Sequence, residues 1–355
     1  MKKVLVLLIA LSLCFIACFS LSACNVKDGE SDNQSTSQPS DESKESGSDS
    51  FTSGSFADNS VGNSSTASKS VREPEEIVPS QIKYTGSADG IKPVTIFMVG
   101  DSTVCQYKAE PVRKTMRNGY GMRLGEYLND KVTIKNLALS GRSSKSFLTE
   151  ANYQTLKNEI KEGDFLIIGF GHNDEKPEAT RYTNASGALD EEGSFKKSLN
   201  DNYIKLAIEK GATPILCTPI VRRSSSGIYS GSKIHNVAPS GTYESGDYAQ
   251  AIRDLGIQTG VTVIDLTTLT KNLLTGMSNE DSQAYYSIQY VRSPSTKQFS
   301  EAIDDTHINA YGAQVVAKML AETLKTTDNT LKNYVLETLP TPNRDVVVVN
   351  PVPTI

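Results

Sequence analysis

Three short polar groups in this chain have residue types that can do acyl-transfer chemistry. They are Gly100-Asp101-Ser102, Gly171-His172-Asn173-Asp174 and Asp304-Asp305-Thr306-His307. Gly-Asp-Ser alone does not separate a nucleophile from a strand-ending turn, because all three residues are turn formers. A nucleophilic serine needs a base to take its proton and a third group to orient that base. It also needs N–H donors for the oxyanion that forms on attack. The chain has only three histidines, His172, His235 and His307. His307 follows Asp304 by three positions, a spacing that lets a carboxylate reach Nδ1–H and leaves Nε2 for a serine. Asp305 is adjacent and is the alternative orienting carboxylate. Asn173 can donate from its amide and Ser102 from its own N–H. Gly141, in Leu139-Ser140-Gly141-Arg142-Ser143-Ser144, has no Cβ to keep a substrate from its N–H.

These groups matter only if the fold converges them. Short apolar runs alternate with helical patterns along the second part of the chain. Strands are predicted at 94–99, 132–136, 165–169, 213–218 and 261–265, and helices at 122–129, 155–162, 201–210, 243–260 and 310–325. Strand–helix alternation implies a parallel sheet with helices on both faces. In such sheets the site forms outside the carboxyl ends of the strands, where Ser102, Gly141 and Asn173 fall. His307 is expected in a loop before the last helix. The tail from Leu339 is Pro-rich apart from Val346–Val349, and is expected to add an edge strand or to lie on the surface.

The N-terminus reads MKKVLVLLIALSLCFIACFSLSAC. Two lysines, an apolar stretch and small residues describe a secretory signal. Its end, Leu21-Ser22-Ala23-Cys24, resembles a bacterial lipobox, in which the cysteine is lipidated. From Ser31 to Ser70 there are 15 serines in 40 residues, too polar to offset ordering entropy by burial. A coil of about 60 such residues spans roughly 40–45 Å end to end. The expected organisation is a lipoprotein signal at 1–24, a disordered tether at 25–90, a catalytic domain at 91–327 and a tail at 328–355. Net charge is -5, which argues against a nucleic-acid partner. Once Cys14, Cys18 and Cys24 are assigned to the N-terminal segment, Cys105 and Cys217 remain, free to pair but with no metal-type spacing.

The ordered set of Ser102, Gly141, Asn173 and Asp304/His307 resembles the conserved blocks of the SGNH (GDSL) hydrolase superfamily. Further stretches resemble rhamnogalacturonan acetylesterases: Gly141–Phe147, Phe170–Asp174, Thr218-Pro219-Ile220-Val221-Arg222-Arg223 and Val263–Thr267. The resemblance spans about residues 93–325. It implies a flavodoxin-like, three-layer α/β/α sandwich with a parallel sheet of about five strands. It also implies Ser102 as nucleophile, His307 as base, Asp304 rather than Asp305 as its orienting carboxylate, and Ser102, Gly141 and Asn173 around the oxyanion, with no metal or cofactor. Asp101 is expected to bond loop backbone and His172 to brace the Asn173 loop. Arg142, His172 and Arg222 are candidate substrate contacts, with surface solvation the competing role for the arginines. His235, in a Gly/Ser-rich loop, is expected at the surface.

Two features depart from the pattern. Gly119-Tyr120-Gly121 stands where those esterases have Gly-Trp-Gly. The segment 223–248 is rich in Gly and Ser, and 283–303 reads as a long insertion before the catalytic loop; both are able to line the cleft and alter substrate choice. The implied activity is deacetylation of an acetylated polysaccharide or oligosaccharide, by an exported monomer held to the membrane only by its N-terminal lipid. Another ester substrate, such as a lipid, thioester or peptidoglycan, shares the fold. A non-catalytic polysaccharide-binding lipoprotein is disfavoured, because every catalytic residue type is present.

Overall fold

Val94–Gly100 forms the first strand, β1, and its residues from Ile96 onward are buried. In the computed structural model, which describes residues 91–353, β1 is paired on both edges. The expected signal at 1–24 with Cys24 and the expected tether at 25–90 lie outside the described residues, as do the last two residues. β2 (Val132–Asn136), β3 (Phe165–Gly169), β4 (Thr213–Cys217) and β5 (Thr262–Ile264) complete an all-parallel sheet in the order β2-β1-β3-β4-β5. This is the doubly wound order whose ligand crevice opens where the winding reverses, beside β1 and β3. The predicted parallel sheet of about five strands within an α/β/α sandwich is the fold observed.

Each interior strand is apolar on both faces, as a sheet covered by helices requires. Ile96, Met98, Ile167, Ile215 and Cys217 point into one core with Leu124, Tyr120 and the helix Ala310–Lys325. Phe97, Val99, Leu166, Ile168 and Leu216 point into the other, with Phe147, Phe195, Tyr203 and Tyr248. The Ala310–Lys325 helix has the predicted bounds. Asn309 caps it by accepting from the N–H of Gly312, and Ala313, Val316, Ala317, Leu320 and Leu324 form its buried stripe.

The helix expected at 155–162 runs Ala151–Glu159 and the one expected at 201–210 starts earlier, at Phe195; two more differ further. The stretch predicted as helix at 122–129 is two 3-10 turns, Tyr120–Met122 and Leu124–Tyr127. A Cβ on Gly119 would stand 2.2 Å from the Cys105 carbonyl, and one on Gly121 2.6 Å from the Val104 carbonyl, so backbone packs on backbone here. The predicted helix at 243–260 begins only at Tyr248, capped by Asp247, because Gly246-Asp247 is paired with Asn236-Val237.

A second, antiparallel sheet carries the residues before the last helix. Tyr286–Arg292 pairs with Phe299–Ile308 and, on its other edge, with Arg113–Thr115. His307 is therefore in a bulged strand rather than the predicted loop. Ile303 faces Ile288 and Ile308 faces Tyr286, so the four residues Asp304–His307 stand opposite Ser287 alone. A bulge of this kind re-aims side chains out of the ladder. The tail closes on the same region: Val349 bridges to Thr115 and Val335 to Leu128, and Leu331 is fully buried.

Candidate active site

The nucleophile turn is built on a buried carboxylate. Asp101 accepts hydrogen bonds from the Thr103 N–H (2.9 Å), the Thr103 hydroxyl (2.8 Å) and the His172 N–H (3.3 Å). Its main-chain carbonyl also accepts from the N–H groups of Val104 and Cys105. Burial raises the Asp101 carboxyl above its ordinary range, against the pull of the Thr103 bonds. Asp101 thus ties the Ser102 turn, after β1, to the His172-Asn173 loop, after β3. Ser102 is only 6% exposed, and its carbonyl accepts from the Tyr107 hydroxyl at 2.9 Å.

The Gly141 loop is fixed from two sides. Leu139 N–H donates to Gly100 O at 3.1 Å. Ser144 donates from N–H (3.0 Å) and hydroxyl (2.6 Å) to Asp174. Burial pushes the Asp174 carboxyl up to about 7, opposed by the bonds from Ser144 and Thr183. Gly141 has φ +77°, and the space its Cβ would fill is empty to 4 Å, so its main chain lies open. Gly171 is glycine for a different reason: φ is +145° and a Cβ would approach Pro219 to 2.8 Å.

The Asn173 amide is oriented by chemistry. Arg181 Nη1 donates to its Oδ1 at 2.8 Å, and its Nδ2 donates to Arg142 O at 3.2 Å. A guanidinium only donates and a carbonyl only accepts, so both partners require the same amide orientation. One Nδ2–H is left for a further acceptor.

His307 and Asp304 form a close pair. His307 Nδ1 lies 2.8 Å from Asp304 Oδ2 and 3.0 Å from Oδ1. The N–H groups of His307 (3.0 Å) and Thr306 (3.2 Å) donate to Oδ1, and Arg113 Nη1 to Oδ2 (3.0 Å). Burial opposes ionisation of Asp304, but the His307 bonds and the Arg113 charge outweigh it and hold the carboxyl far below its usual range. Asp304 occupies Nδ1 and leaves Nε2 for other chemistry. Asp305 points elsewhere, to Arg223 Nη1 at 3.1 Å.

The basic candidates behave differently from one another. Arg142 is partly exposed and paired with Glu150 at 2.6 Å. Arg222 is turned inward, in an ion pair with buried Glu175, so it is a bracing residue and not a free cation for substrate. His235 is a correction: it is fully buried, not at the surface. Its Nε2 lies 2.7 Å from Ile220 O and its Nδ1 3.1 Å from Glu175 Oε2. Burial opposes ionisation of Glu175, but the His235 and Arg222 interactions prevail and lower its carboxyl. The His172 ring packs edge-on against His235 at 4.4 Å, and neither of its nitrogens has a hydrogen-bond partner among the described residues. Burial, with the nearby cationic groups, drives His172 well below the ordinary histidine range, so it is a neutral packing element of the Asn173 loop.

Cys105 and Cys217 are both free thiols and buried. Among the described residues no group of three or more His, Cys, Asp or Glu side chains is placed to hold a metal ion. Arg181, Arg113 and Glu175 were not anticipated from the sequence. Each lies outside any motif, and its partner is between eight and 191 positions away.

The profile of the GDSL-like lipase/acylhydrolase family matches residues 96–320. The rhamnogalacturonan acetylesterase RhgT of Bacillus subtilis is 30% identical over 246 residues, 69% of this chain and 95% of that protein. The probable rhamnogalacturonan acetylesterase YesY of the same organism is 32% identical over 235 residues, 65% of this chain and 92% of that one. The crystal structure of protein YxiM from Bacillus subtilis superimposes with a TM-score of 0.49 at 26% identity, over 66% of this chain and 57% of that one. With the match running from β1 into the last helix, the chain belongs to the GDSL-like lipase/acylhydrolase family and is an ester-hydrolysing serine hydrolase.

Proposed function

We propose that this protein is an exported, lipid-anchored carbohydrate esterase that removes O-acetyl groups from a plant cell-wall polysaccharide such as rhamnogalacturonan. The observation that carries the mechanism is the Asp304–His307 contact at Nδ1, which suits His307 Nε2 to take a proton. Ser102 Oγ attacks the acetyl carbonyl carbon as its proton passes to His307. The carbonyl oxygen becomes an oxyanion, held by the N–H groups of Ser102 and Gly141 and the spare Nδ2–H of Asn173. A single such donor contributes about 10²–10³ in rate. The tetrahedral species collapses, the sugar oxygen leaves with the proton from His307, and an acetyl group remains on Ser102. Water, deprotonated by His307, then attacks the acetyl carbon; the bond from Ser102 Oγ to the acyl carbon breaks, Oγ takes the proton back from His307, and acetate leaves. Asp304 stays ionised and stabilises the imidazolium in both halves.

The names of RhgT and YesY support an acetylated pectic substrate. The apolar leader ending in Leu21-Ser22-Ala23-Cys24 supports export and lipidation at Cys24, and a Ser-rich tether suits a monomer working on a polymer outside the cell. The test is acetate release from acetylated pectin fragments, acetylated xylan and a chromogenic acetyl ester, with Ser102→Ala as control. Wild-type turnover of none of these overturns the proposal, and turnover of long-chain esters alone overturns the acetyl assignment. Lipid labelling that survives Cys24→Ser overturns the anchor.

A further inference from the structure

A cleft of about 710 Å³ lies beside the Asn173 loop and has no part in the acyl-transfer steps. One wall runs from Glu175 to Tyr182, beginning two residues after Asn173. The other is the Gly/Ser-rich segment from Gly231 to Ser245. The walls are pinned together. Tyr182 donates its hydroxyl to Glu244 O at 3.1 Å, Asn184 Nδ2 donates to Glu244 Oε2 at 2.8 Å, and Ser186 Oγ donates to Ser245 O at 2.8 Å. Tyr243 is held in a tight turn by reciprocal bonds with Ser240, and its ring meets Tyr182 edge-on at 4.8 Å. The cleft is therefore pre-formed, and little ordering cost would fall on a ligand.

Its chemistry is selective. Tyr182, Tyr243, Asn236, Ser232, Ser240 and Ser245 line it, and among the described residues no lysine or arginine does. Rings with a few placed polar groups suit a pyranose, which has apolar faces and a hydroxyl rim. The two carboxylates set the sign. Glu175 is consumed by Arg222 and His235. Glu244 is exposed and keeps one oxygen beyond its Asn184 bond, able to accept from a sugar hydroxyl and to repel an anion.

Building on the esterase reading above, we infer that this cleft is an accessory subsite for uncharged sugar units of the glycan, and that it excludes uronates. The Gly/Ser-rich segment 223–248 would thus supply a specificity that the acyl-transfer residues do not.

The experiment is calorimetric titration of the full-length Ser102→Ala protein with neutral tetrasaccharides of xylose, mannose, galactose and glucose, and with tetragalacturonate. At least one neutral tetrasaccharide is expected to bind, tenfold or more tighter than tetragalacturonate at low salt. Tyr243→Ala should weaken that binding at least tenfold. In the active background it should leave turnover of a small chromogenic acetyl ester unchanged, which also certifies its fold. Glu244→Lys, at an exposed position, should instead strengthen tetragalacturonate binding several-fold. Binding of no neutral tetrasaccharide, preference for the uronate, or indifference to both substitutions overturns the subsite. Failure of wild type to deacetylate any carbohydrate would overturn the esterase reading alone, because the binding measurement does not use it.

Discussion

Replacing Asp304 by Asn is the sharpest perturbation of the proposed mechanism, because it preserves shape and reverses hydrogen-bond logic. Both carboxylate oxygens of Asp304 face donors: Oδ1 the N–H groups of Thr306 and His307, Oδ2 the Arg113 guanidinium and His307 Nδ1. An amide offers one oxygen. If two backbone N–H groups hold it at the Oδ1 position, the NH2 falls at Oδ2 and donates to His307 Nδ1. The imidazole must then carry its proton on Nε2, and it can no longer accept from Ser102. A wrong tautomer of this kind costs about 10⁴ in kcat, or about 5.5 kcal/mol of barrier. Asp305→Asn removes a carboxylate that is 46% exposed from its pair with Arg223, an interaction of about 0–1 kcal/mol, so less than about fivefold in rate is expected. Steady-state kinetics on a chromogenic acetyl ester separates the two by about three orders of magnitude. Stability gives a second readout. The folded Asp304 carboxyl lies below its unfolded value, so its stabilisation is present above about pH 4 and is lost as pH falls through the folded value. Asp304→Asn should destabilise at neutral pH, with the difference from wild type shrinking in acid. A hundredfold loss from Asp305→Asn, or an Asp304→Asn variant within tenfold of wild type, would refute the assignment.

Other outcomes follow from contacts around the site. Arg181→Ala frees the Asn173 amide to rotate, so kcat should fall by about 5- to 50-fold, below the roughly 10²–10³ of deleting an oxyanion donor. KM for the small ester should stay within about twofold and Arg181→Lys should recover part of the rate. An unchanged kcat would mean that Arg181 does not orient the amide. His172 is held neutral, with its folded value below its unfolded one. Its contribution to stability is therefore full above about pH 6.5 and falls by up to about 1.4 kcal/mol per pH unit below it. Urea midpoints measured from pH 7 to 5 should show a slope that His172→Phe flattens, and an unaltered slope would reject the reading. Burial pushes the thiols of Cys105 and Cys217 up to about 11 and about 12. Iodoacetamide mapping should find both unmodified in the native protein, modified in denaturant and never disulfide-linked.

Much of the sheet was legible because its strands are short apolar runs closed by turn residues. Val132–Asn136 and Phe165–Gly169 fell where the sequence put them, each ending in a residue that starts a site loop. The last helix fell at 310–325, where the sequence put it, and its Asn309 cap and buried stripe lie within or next to it. In these cases the information is local: period, cap and terminator all lie within the element. The same locality brought Ser102, Gly141 and Asn173 to strand ends on one edge of the sheet.

What was not legible depends on partners far along the chain. His235 sits among Gly, Ser and Asn and reads as surface. It is buried because Glu175, 60 positions earlier, and the Ile220 carbonyl satisfy both ring nitrogens, which removes the cost of burying them. Arg222 reads as a substrate contact or a solvated cation, yet it and the adjacent Arg223 are each matched by one acid, Glu175 or Asp305, and no local pattern announces an ion pair across 47 or 82 positions. The ribbon before the last helix hid for a related reason. Phe299–Ile308 loses its strand period at Asp304-Asp305-Thr306-His307 because those four residues leave the ladder opposite Ser287. The break that made the segment look like a loop is the bulge that turns His307 and Asp304 out of the sheet. A regular strand there would send alternate residues to opposite faces, so it could not also place a three-residue Asp-to-His spacing on one side. The local irregularity in the sequence and the placement of the acid–base pair are one structural fact.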